Sequence, residues 1–244
     1  MRTTRLYIPQ PLKEGTTLTV SGQPAHHARN VLRLRAGASL RLFNGSGSEH
    51  AATLLETGRS AITLAVEAPV EPVAPPSLRI TLAQGIARND RMDLILQKAV
   101  ELGVAGIQPL WMQRSQKHLK GDRMEKRLQH WRGIVISACE QCGRATLPEL
   151  PEPMNLVDWQ DNPADTGLRL MLQPESRRTL GELDTPENDV TLLVGPEGGL
   201  TPEERTDALR TGFTGICLGQ RILRTETAGI AALAGIQTLW GDFS

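Results

Sequence analysis

Short runs rich in β-branched and apolar residues dominate the first seventy positions, at 17–20, 39–43, 51–55 and 61–66. Glycine turns such as Asn44-Gly-Ser-Gly47 separate them, a pattern that predicts a small β-barrel. One helix interrupts it at 25–34, with Arg29, Arg33 and Arg35 as its cations. Residues 69–76 contain four prolines, which hold neither a helix nor a central strand, so the chain divides there. Beyond this linker the pattern alternates. Strands are predicted at 78–83, 106–110, 168–172, 190–194 and 215–218, and helices at 91–102, 123–142, 202–211 and 225–239. Such alternation gives an α/β domain whose parallel sheet is covered on both faces. The expected division is a first domain over 1–72 and a second over 73–244.

Two segments stand out from this frame. Residues 191–204, TLLVGPEGGLTPEE, read as a buried strand, a glycine-rich loop and a helix start. Gly195, Gly198 and Gly199 let backbone approach a ligand closely. Thr201 is placed as N-cap, Pro202 as the first helical residue, and Glu204 completes a capping box. A strand ending in such a loop presents backbone at the carboxyl edge of a parallel sheet, where α/β proteins bind small molecules. Neither a P-loop nor a dinucleotide fingerprint is present. Taken alone, the loop equally suits a tight connection with a good cap. The second segment, LGQRILRTETA at 218–228, gathers Arg221, Arg224 and Glu226 at the start of the last helix.

Together GPEGGLTPEE and LGQRILRTETA resemble the ribosomal RNA small subunit methyltransferase E family, uridine N3 methyltransferases of the knotted SPOUT class. Residues 88–103 are similar to the family's first helix. Gln108-Pro-Leu110 with Arg114-Ser115 is similar to its second strand and loop, and Glu140-Gln-Cys-Gly-Arg144 to its E-Q-x-x-R segment. Arg88 stands where the family often has lysine.

The resemblance implies a carboxyl-terminal trefoil-knotted, parallel-sheet methyltransferase domain behind a PUA-like β-barrel. It implies S-adenosylmethionine as cofactor, 16S rRNA within the assembled small ribosomal subunit as partner, a homodimer and a cytoplasmic setting. The cofactor would lie against Leu172, Gln173, Pro174, Gly195, Pro196, Glu197, Gly198, Leu218, Gly219, Ile222 and Leu223. Uridine N3 is a poor nucleophile until its proton leaves. Glu197 and Glu226 are the candidate carboxylates for that step, and Arg221 and Arg224 the candidate cations for the charge that develops, with Arg224 favoured because it opens the helix after the loop. Loop hydrogen bonding for Glu197 and helix-dipole compensation for Glu226 are the structural alternatives. Phosphate contacts are expected from Arg5, Arg29, Arg33, Arg88, Arg114, Arg144 and Arg221. A methyltransferase acting on another RNA site or atom, and a non-catalytic RNA-binding protein, are the rival readings.

Composition fits this picture once charge is located. The formal net charge is zero, yet residues 79–144 carry twelve Lys/Arg against six Asp/Glu, and residues 145–244 carry seven against sixteen. A basic front part can meet phosphates while the acidic stretch faces away. No apolar run approaches a membrane span. The basic start of the chain has no apolar stretch behind it, which argues against a secretory signal. Three cysteines argue against a disulfide framework. Cys139 and Cys142 form a C-x-x-C with no second pair to complete a zinc site, and no metal is expected.

Overall fold

A computed structural model describes residues 3–115, 119–161 and 167–243. The chain forms two compact units. The first comprises residues 1–75 with 136–147, and the second comprises 76–135 with 148–244.

The first unit is built on β1 (Arg5–Tyr7), β2 (Thr17–Ser21), β3 (Ser39–Phe43), β4 (Glu49–Thr57) and β5 (Ala61–Val70), in the sheet order β1-β3-β4-β5-β2. β1 joins β3 in parallel and the other pairs are antiparallel. Every second residue of β5 faces inward: Ile62, Leu64 and Val66 are buried with Leu6, Ile8, Leu40, Leu42 and Leu54. The strands match the expected ones with small extensions. β5 runs two residues into the proline-rich segment, where Pro69 opposes His50. β2 pairs β5 only over 61–65, so the far side of Pro69 needs no donor.

The expected helix at 25–34 is shorter and wider. α1 spans Gln23–His26 and continues as a π-type turn over His27–Val31. Arg33 follows in the left-handed region, the one non-glycine residue with positive φ among the described residues. β1 has three residues and carried too little pattern to be expected.

The second unit alternates β6 (Arg79–Gly85), α2 (Asn89–Glu101), β7 (Gly106–Trp111), α3 (Asp122–Cys142), β8 (Met154–Asn155), α4 (Leu156–Gln160), β9 (Leu168–Leu172), β10 (Asp189–Val194), α5 (Pro202–Arg210), β11 (Thr214–Ile216) and α6 (Thr225–Trp240). The last turns of α3 belong to the first unit. All six strands run parallel in the order β11-β9-β10-β6-β7-β8. β6 and β10 are neighbours from which the chain departs in opposite directions. Their carboxyl ends are therefore a topological switch point, the place where such sheets bind ligands.

Candidate active site

The loops that follow β9 and β10 and the segment before α6 line one cleft at this edge of the sheet. The β10 loop is shaped by its sequence. Thr201 accepts from the Glu204 amide at 3.2 Å, and Glu204 Oε2 accepts from the Thr201 amide at 2.8 Å, so the expected capping box closes. The second oxygen of Glu204 takes the Gln113 amide at 2.7 Å. This carboxylate thereby ties the start of α5 to the chain after β7. A Cβ on Gly195 would stand 3.0 Å from the Leu200 nitrogen, and one on Gly198 would stand 2.9 Å from Arg114 Cβ. Neither position has room for a side chain.

A buried polar node holds the cleft together. The Thr225 hydroxyl donates to the Gly195 carbonyl at 2.6 Å. Gln84 Nε2 donates to that hydroxyl at 3.1 Å and to the Gly85 carbonyl at 2.9 Å. Gly229 lies over the other face of this amide, where a Cβ would come 3.6 Å from Gln84 Oε1. Gly229 thus has a local cause, since α6 passes close there to the β6 and β10 ends.

The charged groups form a second cluster. Glu197 Oε1 accepts the Arg88 amide at 2.8 Å and lies 3.4 Å from Arg91 Nη1. Arg91 Nε lies 3.8 Å from Glu226 Oε1. Glu197 lines the cleft, whereas Glu226 does not and pairs with Arg91. Glu226 Oε2 is buried without a hydrogen-bond partner among the described residues. Across the cleft, Arg205 pairs with Glu175 at 3.0 Å. A hydrogen bond from its own backbone and one from Arg205 hold the Glu175 carboxyl below its usual range.

The expected cofactor residues Leu172, Pro174, Gly195, Pro196, Glu197, Gly198, Ile222 and Leu223 line this cleft, and Arg224 lines it too. Gln173 turns its side chain towards Gly215 instead, where its Oε1 would clash with any Cβ. Leu218 and Gly219 belong to the loop but do not line the cleft. Arg91, Gln84 and Thr225 were missed. Arg91 left one signal: a cation in the first turn of a helix opposes the dipole and calls for a reason.

The expected phosphate contacts separate. Arg5 is not available: it is buried, it pairs with Glu49 at 2.9 Å, and it donates to the carbonyls of Cys139 and Arg144. Arg29 donates to the carbonyls of Gly58 and Arg59, across the turn between β4 and β5. Arg114 lies over the glycine loop and donates to the Gly198 carbonyl at 2.8 Å. Arg144 is half-buried. Arg33, Arg88 and Arg221 are exposed.

The C-x-x-C carries no reactive thiol at its first position. Burial pushes the Cys139 thiol up to about 12 against the pull of Arg144 and Arg5. Among the described residues, no group of three His, Cys, Asp or Glu gathers as for a metal. Nor is any helix there long and apolar enough to cross a membrane.

Residues 74–237 match the RNA methyltransferase domain family, and residues 20–67 match the RNA methyltransferase PUA domain family. The ribosomal RNA small subunit methyltransferase E of Buchnera aphidicola from Schizaphis graminum is 34% identical, covering 100% of this chain and 99% of its own. The chain belongs to the ribosomal RNA small subunit methyltransferase E family. The methyltransferase E of Neisseria gonorrhoeae, solved bound to S-adenosyl methionine, superposes with a TM-score of 0.90 at 39% identity over 100% of both chains. A putative methyltransferase of Legionella pneumophila, solved in complex with the same cofactor, gives 0.96 at 37% identity, again over 100% of both chains. The fold is thus that of methyltransferase E: a PUA-like β-sheet unit and an α/β methyltransferase unit with a parallel sheet.

Proposed function

We propose that this protein uses S-adenosylmethionine to methylate N3 of a specific uridine in the 16S rRNA of the small ribosomal subunit, in the cytoplasm. The observation that carries this reading is the convergence of three loops on one cleft that combines apolar side chains, exposed glycine backbone and a carboxylate–guanidinium cluster. Such a cleft suits the cofactor. Leu172, Leu200, Ile222 and Leu223 offer apolar contact, and the 195–199 backbone can approach without side-chain interference. When bound, S-adenosylmethionine supplies an electrophilic methyl group.

The chain's own residues handle the proton and the charge. Glu197 is the candidate carboxylate that lines the cleft, and it takes the N3 proton of the uracil. The Arg88 amide and Arg91 fix its orientation through one oxygen, leaving the other to accept. Glu226 holds Arg91 from behind. As the proton leaves, negative charge spreads to the uracil oxygens, and Arg224 at the N-cap of α6 stands where it can offset that charge. No metal is required in this scheme.

We further read the protein as a homodimer joined through α6. Its small-residue surface and the half-exposed Leu239 and Phe243 at its end support this. Sedimentation at micromolar concentration tests it, and a methylating monomer would overturn it. Mapping modified nucleotides in 16S rRNA from cells lacking the protein tests the activity. One N3-methyluridine should vanish and return with the intact gene. Loss of a different modification would transfer the protein to another target.

A further inference from the structure

Helix α3 gathers cations on one flank near its start. Arg123, Lys126, Arg127 and His130 recur at i, i+3, i+4 and i+7, and so share one flank. Asp122, Glu125, Gln129 and Arg132 form the other flank, where they border a cavity with Trp111, Glu152 and Pro153. Leu128, Trp131 and Val135 are buried and fix the rotation of the helix. The basic flank is oriented by one contact: His130 Nε2 lies 2.8 Å from Asp93 Oδ2 of α2. Asp93 stands two residues after Arg91, which lines the cleft. α2 and α3 follow the parallel strands β6 and β7, so both start at the sheet edge that carries the cleft.

Two cations of this flank have no ion-pair partner among the described residues. Arg123 and Lys126 are exposed and pair with no carboxylate among the described residues, and Arg127 rests 6.0 Å above the Trp131 ring. An unneutralised row of this kind is self-repelling unless an anion completes it. A phosphodiester backbone fits better than an acidic protein surface, because its regularly repeated charges can meet a row of cations without a shaped partner. We propose that the first two turns of α3, through Arg123, Lys126 and Arg127, form a ridge that grips rRNA phosphates beside the cleft. This rests on the RNA substrate proposed above and assigns its contact to residues outside the cofactor loops.

Binding of the full-length protein to purified small ribosomal subunits, followed across a salt series, tests the ridge. Arg123→Gln with Lys126→Gln should weaken binding about tenfold near 0.1 M salt, and should flatten the log–log salt slope by roughly 1.5 to 2, the share of two phosphate contacts. Arg132→Gln with Arg210→Gln removes the same net charge elsewhere and should change affinity less than about twofold. Arg123→Lys with Lys126→Arg should bind as the unaltered protein does, which separates lost charge from a folding defect. Equal binding by the first variant overturns the ridge and leaves the RNA reading standing. Equal weakening by both neutralised pairs also overturns it, in favour of general charge attraction. Failure of the unaltered protein to bind small subunits overturns the ridge and the RNA reading together.

Discussion

The hydroxyl of Thr225 donates to the carbonyl of Gly195 at 2.6 Å, bolting the first turn of α6 to the glycine loop. Thr225→Val keeps the shape of the side chain and removes the bond, leaving the Gly195 carbonyl and the Gln84 amide short of a partner. The expected cost is about 1–3 kcal/mol of stability. Affinity for S-adenosylmethionine should fall about five- to tenfold, because the loop loses its anchor. Differential scanning and titration calorimetry read the two effects. Unchanged affinity would mean that the loop stands without α6.

Gly85 and Gly229 should respond oppositely to the same substitution. A Cβ at Gly85 would come 2.6 Å from the Pro196 nitrogen and Cδ and 2.8 Å from Met112 Sδ, so Gly85→Ala pushes the strand end into the loop. A loss of about 1–3 kcal/mol is expected, together with weakened cofactor binding. A Cβ at Gly229 meets nothing closer than 3.6 Å, and the position is helical. Gly229→Ala should be neutral or gain about 0.5–1 kcal/mol. Thermal unfolding of the two variants decides between them.

Arg224 and Glu197 should affect turnover more than binding. Arg224→Ala is expected to lower kcat at least about tenfold with cofactor affinity nearly unchanged, since its proposed partner charge develops only on the reacting uracil. Glu197→Gln should cost about 10²–10⁴-fold in kcat, the usual range for a lost general base. Single-turnover methylation of small subunits measures both. An active Glu197→Gln enzyme would pass the role of base to Glu226.

Glu140 should make the first unit prefer acid. Burial raises its carboxyl above the usual range, against the hydrogen bond from the Tyr7 amide and the pull of His27 and Arg5. The folded form therefore binds this proton more tightly than the unfolded form does. The resulting stabilisation is full below the unfolded value near 4.5 and is lost as pH rises through the folded value. His27 Nε2 lies 3.4 Å from Glu140 Oε2, while Arg5 is turned towards Glu49. Glu140→Gln keeps an acceptor for Tyr7 and should remove this pH-dependent term. Melting curves of both proteins from pH 4.5 to 7 should converge at the acid end and favour the variant at the neutral end.

What could be read from the sequence was what is local. The capping box of Thr201 and Glu204 needs four consecutive residues and was legible whole. So was β9, whose Leu168–Leu172 bounds match the expected strand. β8 has two residues and α4 five, too short for any periodicity to accumulate. The node at Gln84 was hidden because Thr225 lies 141 positions away. Arg5 shows the converse difficulty. An arginine that saturates Glu49 and two carbonyls is spelled no differently from one that meets solvent, and only the tertiary structure separates them.

The unbroken α3 limits how modular this protein can be. Its last turns and the following residues to 147 belong to the first unit, although they stand 60 positions beyond the linker at 75. Arg5 makes the dependence concrete, since two of its acceptors, the carbonyls of Cys139 and Arg144, come from that stretch. Cutting the gene at the linker leaves the first product without residues 136–147, and leaves the second carrying that stretch without its sheet. Domain exchange at that breakpoint would therefore transplant an incomplete β-sheet unit. A workable graft must move residues 1–75 and 136–147 as a matched set, so the proline-rich segment alone is no boundary for exchange.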